Sequence, residues 1–321
     1  MKAIVYSQYG PPEVAKLLEV EKPEPKENEI LIKVYYTTVN RTDSGFRSAE
    51  YFISRFWSGL LKPKLKILGN EFSGEVVGIG AAVKFFKIGD KVFGYNDKTF
   101  GAHAEFIVVP ETSAVSTLPA NLNFEMAAAL TEGAHYALAD IRAAGITSGQ
   151  SVLVNGATGA IGSAAVQLIK NIGADVVAVC HGKHLELIKS LGADVVIDYT
   201  KEDFTKLNRK FDVVFDAVGK SNFGKCKAIL KDNGIYMSTE LGPLWENPLR
   251  GMFAPWIKGK KIIFPLPTIS KQDVEYLKAL AETGKFKPLI DRVFDMEQIV
   301  EAYTYVETGM KTGNVLLKVA D

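Results

Sequence analysis

One stretch of the chain combines small residues with a spacing that suits phosphate binding. Residues 152–154 are apolar, which is typical of a buried strand, and a glycine-rich turn follows at 155–159. Apolar residues then recur at intervals of three and four over 161–172, which predicts a helix. Unpaired amides and the dipole at the start of a helix attract negative charge. The stretch therefore predicts a phosphate-binding turn between a strand and a helix.

The glycines of this turn have separate roles. Gly159 lets the backbone approach a pyrophosphate, and Gly162 lets the helix pack closely against its strand. The usual G-x-G-x-x-G pattern has Ala157 at its first position here, and such a pattern alone also occurs in ordinary turns. Its place between a strand and a helix predicts a dinucleotide site. The predicted contacts in this segment are Thr158, Gly159, Ala160, Ile161 and Gly162.

The end of the next predicted strand indicates which dinucleotide is bound. NAD sites usually carry Asp or Glu there, about 20 residues past the glycines, to bond the ribose hydroxyls. Residues 180–184 contain no carboxylate, and Lys183 and His184 are able to pair with a 2′-phosphate. The alternative is that these two residues only solvate the start of a helix. We predict NADPH (NADP) as the cofactor.

The surrounding elements predict an α/β fold. Residues 1–120 contain short strands separated by Gly or Pro, which indicates a small, irregular β-barrel. A helix is predicted over 124–142, and strands then alternate with helices, as in a doubly wound parallel sheet. The six strands predicted for this sheet are 152–155, 176–180, 195–198, 211–216, 234–238 and 261–264.

Two further segments are expected to face the cofactor, because open α/β sheets bind ligands at the carboxyl ends of their strands. Gly219 follows the fourth predicted strand, and residues 238–242 follow the fifth. We expect the backbone at Gly219 to lie near the nicotinamide. For Asp216, the alternative to a role in binding is a buried structural one.

Composition excludes several classes of protein. A length of 321 residues favours about two domains, and 47% hydrophobic residues suffice for their cores. The net charge of +1, without a block of like charges, is evidence against binding of nucleic acid or an anionic membrane. We expect no signal peptide and no membrane span. Cys180 and Cys226 have no metal-ligand spacing, and we predict reduced thiols in a cytoplasmic enzyme.

Four segments resemble a known family. They are VNRTD at 39–43, LGNEFSG at 68–74, NGATGAIG at 155–162, and the stretch 284–294. In these the chain resembles the medium-chain dehydrogenase/reductase superfamily, in its zinc-free, quinone-oxidoreductase-like (zeta-crystallin-like) branch. The resemblance implies a GroES-like β-barrel catalytic domain of residues 1–121 and 267–321. It also implies a Rossmann NADP(H)-binding domain of residues 122–266 and association as a homodimer.

The residues for a catalytic zinc ion are missing. Such a site needs three protein ligands, usually Cys, His, and Cys or Glu. Where zinc-containing relatives carry cysteine and histidine, this chain has Asn40 and Asn70, and the loop 94–101 contains no cysteine. His103 and His135 are isolated. We therefore predict no metal and, without a strong Lewis acid, no oxidation of simple alcohols.

The resemblance implies hydride transfer from a reduced nicotinamide to a quinone or an α,β-unsaturated carbonyl. The substrate oxygen becomes enolate-like and needs a hydrogen-bond donor. Asn40 and Tyr51 are the candidates, and we expect Asp43 to fix the geometry of Asn40. The alternative is that Asn40 and Asp43 form only a structural turn. No residue is identified as the proton donor, and water can serve for quinones.

In NADPH-dependent relatives a tyrosine at the position of Tyr199 lines the adenosine phosphate pocket.

The segment 45–66 is rich in aromatic residues and lies between two of the motifs. A lid over an apolar substrate is one interpretation, with residues 245–256 as an opposite wall. The others are a surface loop with its own cluster, or a patch that docks on another subunit or a membrane.

The prediction is an NADPH-dependent, zinc-independent quinone or enone reductase. Two alternatives stay open. One is a reductase of lipid-derived 2-alkenals and enones with quinones as incidental acceptors. The other is an NADPH-binding protein with little turnover that acts as an interaction partner. Since a wide apolar cleft selects for size and shape, the sequence does not identify the acceptor.

Overall fold

The computed structural model describes residues 1–50 and 55–320, and the chain divides into two compact units. The first comprises Met1–Glu132, Ile269–Gly284 and Pro288–Asp321. The second comprises Gly133–Thr268 and Lys285–Lys287. Residues 122–132, which the sequence analysis assigned to the cofactor domain, group with the first unit.

The strands are β1 (Lys2–Val5), β2 (Lys16–Glu19), β3 (Glu29–Val39), β4 (Glu71–Ile79), β5 (Lys91–Tyr95), β6 (Phe106–Pro110), β7 (Ala114–Thr117), β8 (Ser151–Asn155), β9 (Asp175–Cys180), β10 (Val195–Asp198), β11 (Phe211–Asp216), β12 (Leu230–Ser238), β13 (Lys261–Ile263), β14 (Ile290–Asp295) and β15 (Asn314–Lys318). The α-helices are α1 (Arg41–Ser48), α2 (Arg55–Ser58), α3 (Phe124–Ala127), α4 (Glu132–Ala144), α5 (Ala160–Ile172), α6 (Leu185–Ser190), α7 (Phe223–Cys226), α8 (Glu246–Met252), α9 (Lys271–Glu282) and α10 (Ile299–Glu307). Across the described ranges, no helix has the length and apolar character that a membrane crossing requires.

The long strand β3 organises the first unit. It pairs with β4 on one side, and on the other side its first half pairs with β6 and its second half with β15. The sheet order is β14-β15-β3-β4-β5-β7. Residues Ile30, Ile32 and Val34 of β3 are fully buried in a shared apolar core with Phe72 and other residues of the unit. Because β3 ends at Val39, this packing fixes where Asn40 and helix α1 begin.

The second unit is a six-stranded parallel sheet in the order β10-β9-β8-β11-β12-β13. All five residues of β8 are buried, as expected for a central parallel strand. The strand order reverses between β8 and β11. Ligands of doubly wound sheets bind at the carboxyl edge of such a switch point, where the glycine turn after β8 lies.

The predicted helix over 124–142 is wrong, because residues 128–131 separate α3 from α4. The cause is a buried carboxylate on a strand far away in sequence. Glu71 Oε1 accepts hydrogen bonds from the backbone amides of Thr131 and Glu132, at 2.8 and 2.6 Å. These amides therefore cap a new helix instead of continuing the first one.

Candidate functional site

The turn after β8 forms an open cradle of backbone groups. Helix α5 begins after Gly159, which makes no side-chain capping bond, so the first-turn amides are not satisfied by a side chain. A Cβ at Gly162 would overlap the carbonyl of Gly156. The positive φ of the turn, 79°, falls on Gly156, which explains why Ala157 is tolerated at the usual first glycine position.

This cradle brings together the residues predicted for phosphate binding, Thr158 to Gly162. The amides at the start of a 13-residue helix and the helix dipole suit a pyrophosphate group. The residues present therefore fit a nicotinamide dinucleotide at this edge of the second unit.

Lys183, His184 and Tyr199 lie together where β9 and β10 end. The Lys183 amide donates to His181 Nδ1 at 3.2 Å, and the His181 ring stands edge-on to Tyr199 at 5.8 Å between ring centroids. The Lys183 side chain is exposed, and the Tyr199 side chain is 56% exposed. A single small surface thus carries a cation, an imidazole and an aromatic ring.

Asp198 is a carboxylate that the sequence analysis missed at this surface. It ends β10, next to β9, and a Cβ at Gly182 would overlap its Oδ2 atom. Its Oδ1 accepts hydrogen bonds from the Thr200 hydroxyl, at 2.7 Å, and from the Thr200 amide, at 3.0 Å. These bonds, with a further one from the Gly182 amide, hold the pKa of Asp198 below its usual range. The sequence pattern for cofactor preference considers only the residue at the end of the second strand of the fold, β9, whereas Asp198 lies at the end of the third strand, β10.

Asp216 is structural and Gly219 shapes the turn after β11. The fully buried Asp216 carboxylate accepts from Asn155 Nδ2 at 3.0 Å, the Ser221 amide at 2.8 Å and the Tyr236 hydroxyl at 3.2 Å. Gly219 has a φ of 63°, and a Cβ there would overlap the Glu240 side chain. Of the two interpretations of Asp216, the structure therefore supports the buried one.

Asn40 and Asp43 form a reciprocal cap at the start of α1. Asn40 Oδ1 accepts from the Asp43 amide at 3.0 Å, and Asp43 Oδ2 accepts from the Asn40 amide at 3.1 Å. Asp43 Oδ1 also accepts from the Gly69 amide at 2.9 Å. Asp43 thus fixes the conformation of Asn40, and both belong to a structural turn. The third predicted catalytic residue, Tyr51, lies outside the described residues.

A buried hydrogen-bond network extends from Asn40 to α4. Asn40 Nδ2 donates to Asn70 Oδ1 at 2.9 Å, and Asn70 Nδ2 donates to the Tyr95 hydroxyl at 2.9 Å and to Glu132 Oε2 at 3.0 Å. The Thr42 hydroxyl donates to the other carboxyl oxygen of Glu132, Oε1, at 2.7 Å. The network therefore begins at Asn40, the N-cap of α1, and ends at Thr42, the second residue of that helix.

Glu132 differs from its neighbour Glu71 in its hydrogen bonds. Burial, reinforced by the nearby charge of Glu71, raises the pKa of Glu132 to about 8. Burial also raises the pKa of Glu71, but that carboxylate accepts bonds from the Thr131 amide and hydroxyl, the Glu132 amide and the Thr38 hydroxyl. Four donors favour an ionised Glu71 and leave the proton on Glu132. In the sequence, the only local indication of this buried acid is that Glu132 follows a short apolar run.

These residues do not fit a catalytic zinc ion. Asn40 and Asn70, at the positions of zinc ligands in relatives, are neutral amides bonded to each other. Among residues 1–50 and 55–320, no group of three His, Cys, Asp or Glu side chains is arranged to hold a metal ion. His103 Nε2 lies 2.8 Å from the Thr38 carbonyl oxygen, in the interior of the first unit.

The predicted lid segment is only partly described. Residues 51–54 lie outside the described residues, and Phe46 packs on Phe100 with 5.0 Å between ring centroids. Phe46 therefore belongs to the interior of the first unit, whereas Phe56 is 68% exposed. The predicted opposite wall, residues 245–256, contains α8 and exposes Phe253 and Trp256.

Two family models match the chain. The first, described as an alcohol dehydrogenase GroES-like domain, matches residues 26–120. The second, described as a zinc-binding dehydrogenase, matches residues 191–317.

Similar proteins cover the chain almost completely. It is 36% identical to the 2-methylene-furan-3-one reductase of Solanum lycopersicum, with 99% of this chain and 79% of the relative aligned. It is 32% identical to the chloroplastic NADPH-dependent alkenal/one oxidoreductase of Arabidopsis thaliana, with the same coverage of 99% and 79%. The solved quinone oxidoreductase of Coxiella burnetii superposes with a TM-score of 0.88 at 30% identity, covering 100% of this chain and 99% of that one. The predicted α/β fold, with a GroES-like domain and a Rossmann sheet, is confirmed.

Proposed function

Since the chain belongs to the quinone-oxidoreductase-like branch of the medium-chain dehydrogenase/reductase superfamily, we propose that it reduces a quinone or an α,β-unsaturated carbonyl with NADPH, without zinc. The protein is an NAD(P)H-dependent oxidoreductase. The observation that carries the proposal is the uncapped start of α5, which offers backbone amides to a dinucleotide pyrophosphate.

The residues of the first unit have proposed roles at the substrate. Bound NADPH supplies a hydride to an activated alkene or a quinone, which leaves negative charge on the substrate oxygen. Asn40 Nδ2 donates one hydrogen to Asn70, and we assign its second hydrogen to that oxygen. Asp43 positions Asn40 through the reciprocal cap, and Tyr51 is a second proposed donor.

The proposed preference for NADPH over NADH rests on the surface at the ends of β9 and β10. Lys183 and His184 are the proposed partners of a 2′-phosphate, with Tyr199 against the adenosine. Asp198 would repel a phosphate, but its oxygens are occupied by donors from Thr200 and Gly182. The proposed contacts of the remaining dinucleotide are Thr158, Gly159, Ala160, Ile161, Gly162 and Gly219.

Zinc independence, assembly and location belong to the same proposal. The amide pair of Asn40 and Asn70 supports a site that works without zinc. The edge strand β13 supports a homodimer. Cys180 and Cys226 are free and buried, as is usual for proteins of a reducing compartment, and we propose a cytoplasmic location.

The names of the relatives favour a specific second candidate. Two of them are named for reduction of a 2-methylene-furan-3-one and of alkenals and enones. We therefore propose reduction of 2-alkenals and enones, with quinones as incidental acceptors, as the alternative.

The test follows NADPH oxidation by absorbance with a quinone, a 2-alkenal, a cyclic enone and a simple saturated aldehyde. We expect the quinone, the 2-alkenal and the cyclic enone to oxidise NADPH, and we expect a chelator not to slow this oxidation. The saturated aldehyde should oxidise little NADPH. Catalytic efficiency should be lower with NADH than with NADPH. The ranking of acceptors decides between the two candidates. If NADPH binds but no acceptor oxidises it, catalysis is not the role of the protein, and a binding function replaces it.

A further inference from the structure

We infer that Asp198 is a positioning residue for the 2′-phosphate of NADPH, and that it acts by holding the turn 181–184 through Gly182. The inference rests on the proposed function, in which Lys183 and His184 of this turn pair with that phosphate. Its sign is unusual, because a carboxylate beside the adenosine ribose normally favours NADH over NADPH. Here the carboxylate should raise the affinity for NADPH.

Strand pairing brings Asp198 to the turn. Strands β9 and β10 are parallel neighbours, and Asp198 lies opposite Cys180, the residue directly before the turn. The ladder continues by one bond, from the Tyr199 amide to the Cys180 carbonyl oxygen at 3.2 Å. The two strand ends are therefore fixed in register, and the turn begins beside the Asp198 carboxylate.

The Asp198 carboxylate occupies the space in which a side chain at position 182 would lie. The φ of Gly182 is outside the positive range that favours glycine, so the backbone itself does not require glycine here. A Cβ at Gly182 would lie 2.2 Å from Asp198 Oδ2 and 2.9 Å from Asp198 Cγ. The Gly182 amide also donates a hydrogen bond to this carboxylate. A larger residue at position 182 would therefore displace Asp198 from the turn.

Thr200 holds the Asp198 carboxylate in the orientation that faces Gly182. Asp198 Oδ1 accepts from the Thr200 hydroxyl at 2.7 Å and from the Thr200 amide at 3.0 Å, while Oδ2 lies against the turn. The bonds from Thr200, followed by the bond from Gly182 and the nearby charge of Lys201, hold the pKa of Asp198 below its usual range. Asp198 is therefore ionised at neutral pH, and an ionised acceptor forms a stronger hydrogen bond than a neutral one.

The turn that Asp198 holds carries the proposed phosphate ligands. The His181 ring stands edge-on to Tyr199, and His181 Nδ1 accepts from the Lys183 amide at 3.2 Å. The His181 carbonyl oxygen accepts from the His184 amide at 2.9 Å. Lys183 directly follows Gly182, so a displacement of Gly182 also moves the backbone that carries the lysine side chain. The position of this cation therefore depends on the contact with Asp198.

The charge of Asp198 also repels a phosphate group. We expect this repulsion to be the smaller effect, because Asp198 is partly exposed and water and salt weaken charge–charge interactions at a surface. The cation of Lys201 lies near enough to Asp198 to offset part of its charge. Loss of the bond to Gly182 should therefore outweigh the relief of repulsion when the carboxylate is removed.

The test measures binding of two nucleotides to the full chain by isothermal titration calorimetry. Adenosine 2′,5′-bisphosphate carries the 2′-phosphate, and adenosine 5′-monophosphate lacks it. Asp198→Asn keeps the size of the side chain but removes its charge. We expect the Kd of the bisphosphate to rise about 10-fold in this variant, and that of the monophosphate to change less than about twofold. The ratio of kcat/KM for NADPH to kcat/KM for NADH should fall by a similar factor.

A double-mutant comparison tests whether Asp198 acts through Gly182. Gly182→Ala introduces the Cβ that meets Asp198 Oδ2, and it should weaken bisphosphate binding about 10-fold in the wild-type background. In the Asp198→Ala background the carboxylate no longer fills that space, so the same substitution should cost less than about twofold. Independent effects of the two substitutions would multiply instead.

Asp203 offers a matched control, because its carboxylate makes the same local hydrogen bonds. Asp203 Oδ1 accepts from the Thr205 hydroxyl at 2.7 Å and from the Thr205 amide at 3.0 Å, as Asp198 does from Thr200. Its other oxygen lies 3.4 Å from Lys206 Nζ instead of against the turn. Asp203→Asn should therefore leave the Kd of both nucleotides unchanged.

Several results would overturn the inference. Tighter binding of the bisphosphate by Asp198→Asn would show that repulsion is the larger effect. An unchanged Kd, an equal rise for both nucleotides, or multiplying effects of the substitutions at 182 and 198 would also count against it. Wild-type protein that binds the two nucleotides equally well would instead overturn the proposed preference for NADPH, and the inference with it.

Discussion

Asn40 has one amide hydrogen without a partner among the described residues. Its Oδ1 caps α1, and its Nδ2 donates once, to Asn70. Serine also caps a helix but has no amide, so Asn40→Ser keeps the cap and removes the proposed substrate donor. We expect kcat to fall about 100-fold in Asn40→Ser, as for the loss of one oxyanion donor. Steady-state kinetics with the best acceptor measures this loss.

Asn40→Ala is the matched control, because it removes both the cap and the donor. Both variants lose the bond to Asn70, and only alanine also loses the cap, which costs about 1 kcal/mol of stability. Urea unfolding should therefore separate the two variants while their kcat values agree. Wild-type kcat in Asn40→Ser would show that Asn40 has only its structural role.

At the scale of the element, α4 carries a buried carboxyl that opposes folding at neutral pH. Asp140 Oδ1 has no hydrogen-bond partner in the described part of the chain, and burial raises the pKa of Asp140 to about 8. A raised pKa means that the folded state binds the proton more tightly than the unfolded state. Stability from this group is therefore full below pH about 4 and is lost as the pH rises toward 8.

Asp140→Asn should remove this dependence, because asparagine stays neutral. We expect equal free energies of unfolding for variant and wild type near pH 4, and a variant about 4–6 kcal/mol more stable at pH 8. Urea unfolding at the two pH values measures the difference. If the difference in free energy of unfolding between variant and wild type is the same at both pH values, Asp140 does not titrate between pH 4 and pH 8.

Elements with strong local patterns were predictable, and those set by distant contacts were not. Strand β11 has the predicted bounds, and helix α5 starts within one residue of the predicted range, because the apolar pattern of each is continuous. The break between α3 and α4 depends on Glu71, about 60 residues away in sequence, which no local pattern contains. Helix α1 was missed although Asn40 and Asp43 have the spacing of a capping box.

The same distinction applies to the site. The phosphate cradle was predictable, because strand, turn and helix are contiguous in the chain. Asp198 and Glu132 reach their positions through strand order and long-range hydrogen bonds, at the end of β10 and beside Asn70. Sequence spacing therefore identifies a backbone site well, and it identifies a network of side chains from separate elements poorly.

At the scale of the whole molecule, the parallel sheet ends in two edge strands. Strand β13 ends the sheet on one side and β10 on the other. Beyond β12, no strand in the described ranges pairs with β13, and exposed Phe253 and Trp256 lie in the segment that precedes it. An unpaired edge with apolar residues nearby is a natural place for a second copy to bind about a twofold axis.

The proposed homodimer should therefore depend on β13 and not on β10. Ile263→Asp would place like charges near the axis, whereas Val195→Asp puts the same charge on the exposed first residue of β10. Light scattering should give about twice 35.1 kDa for the wild type and for Val195→Asp, and a mass near 35.1 kDa for Ile263→Asp. A single-chain mass for the wild type would contradict the dimer. Dissociation by Val195→Asp alone would instead place the interface at the opposite edge.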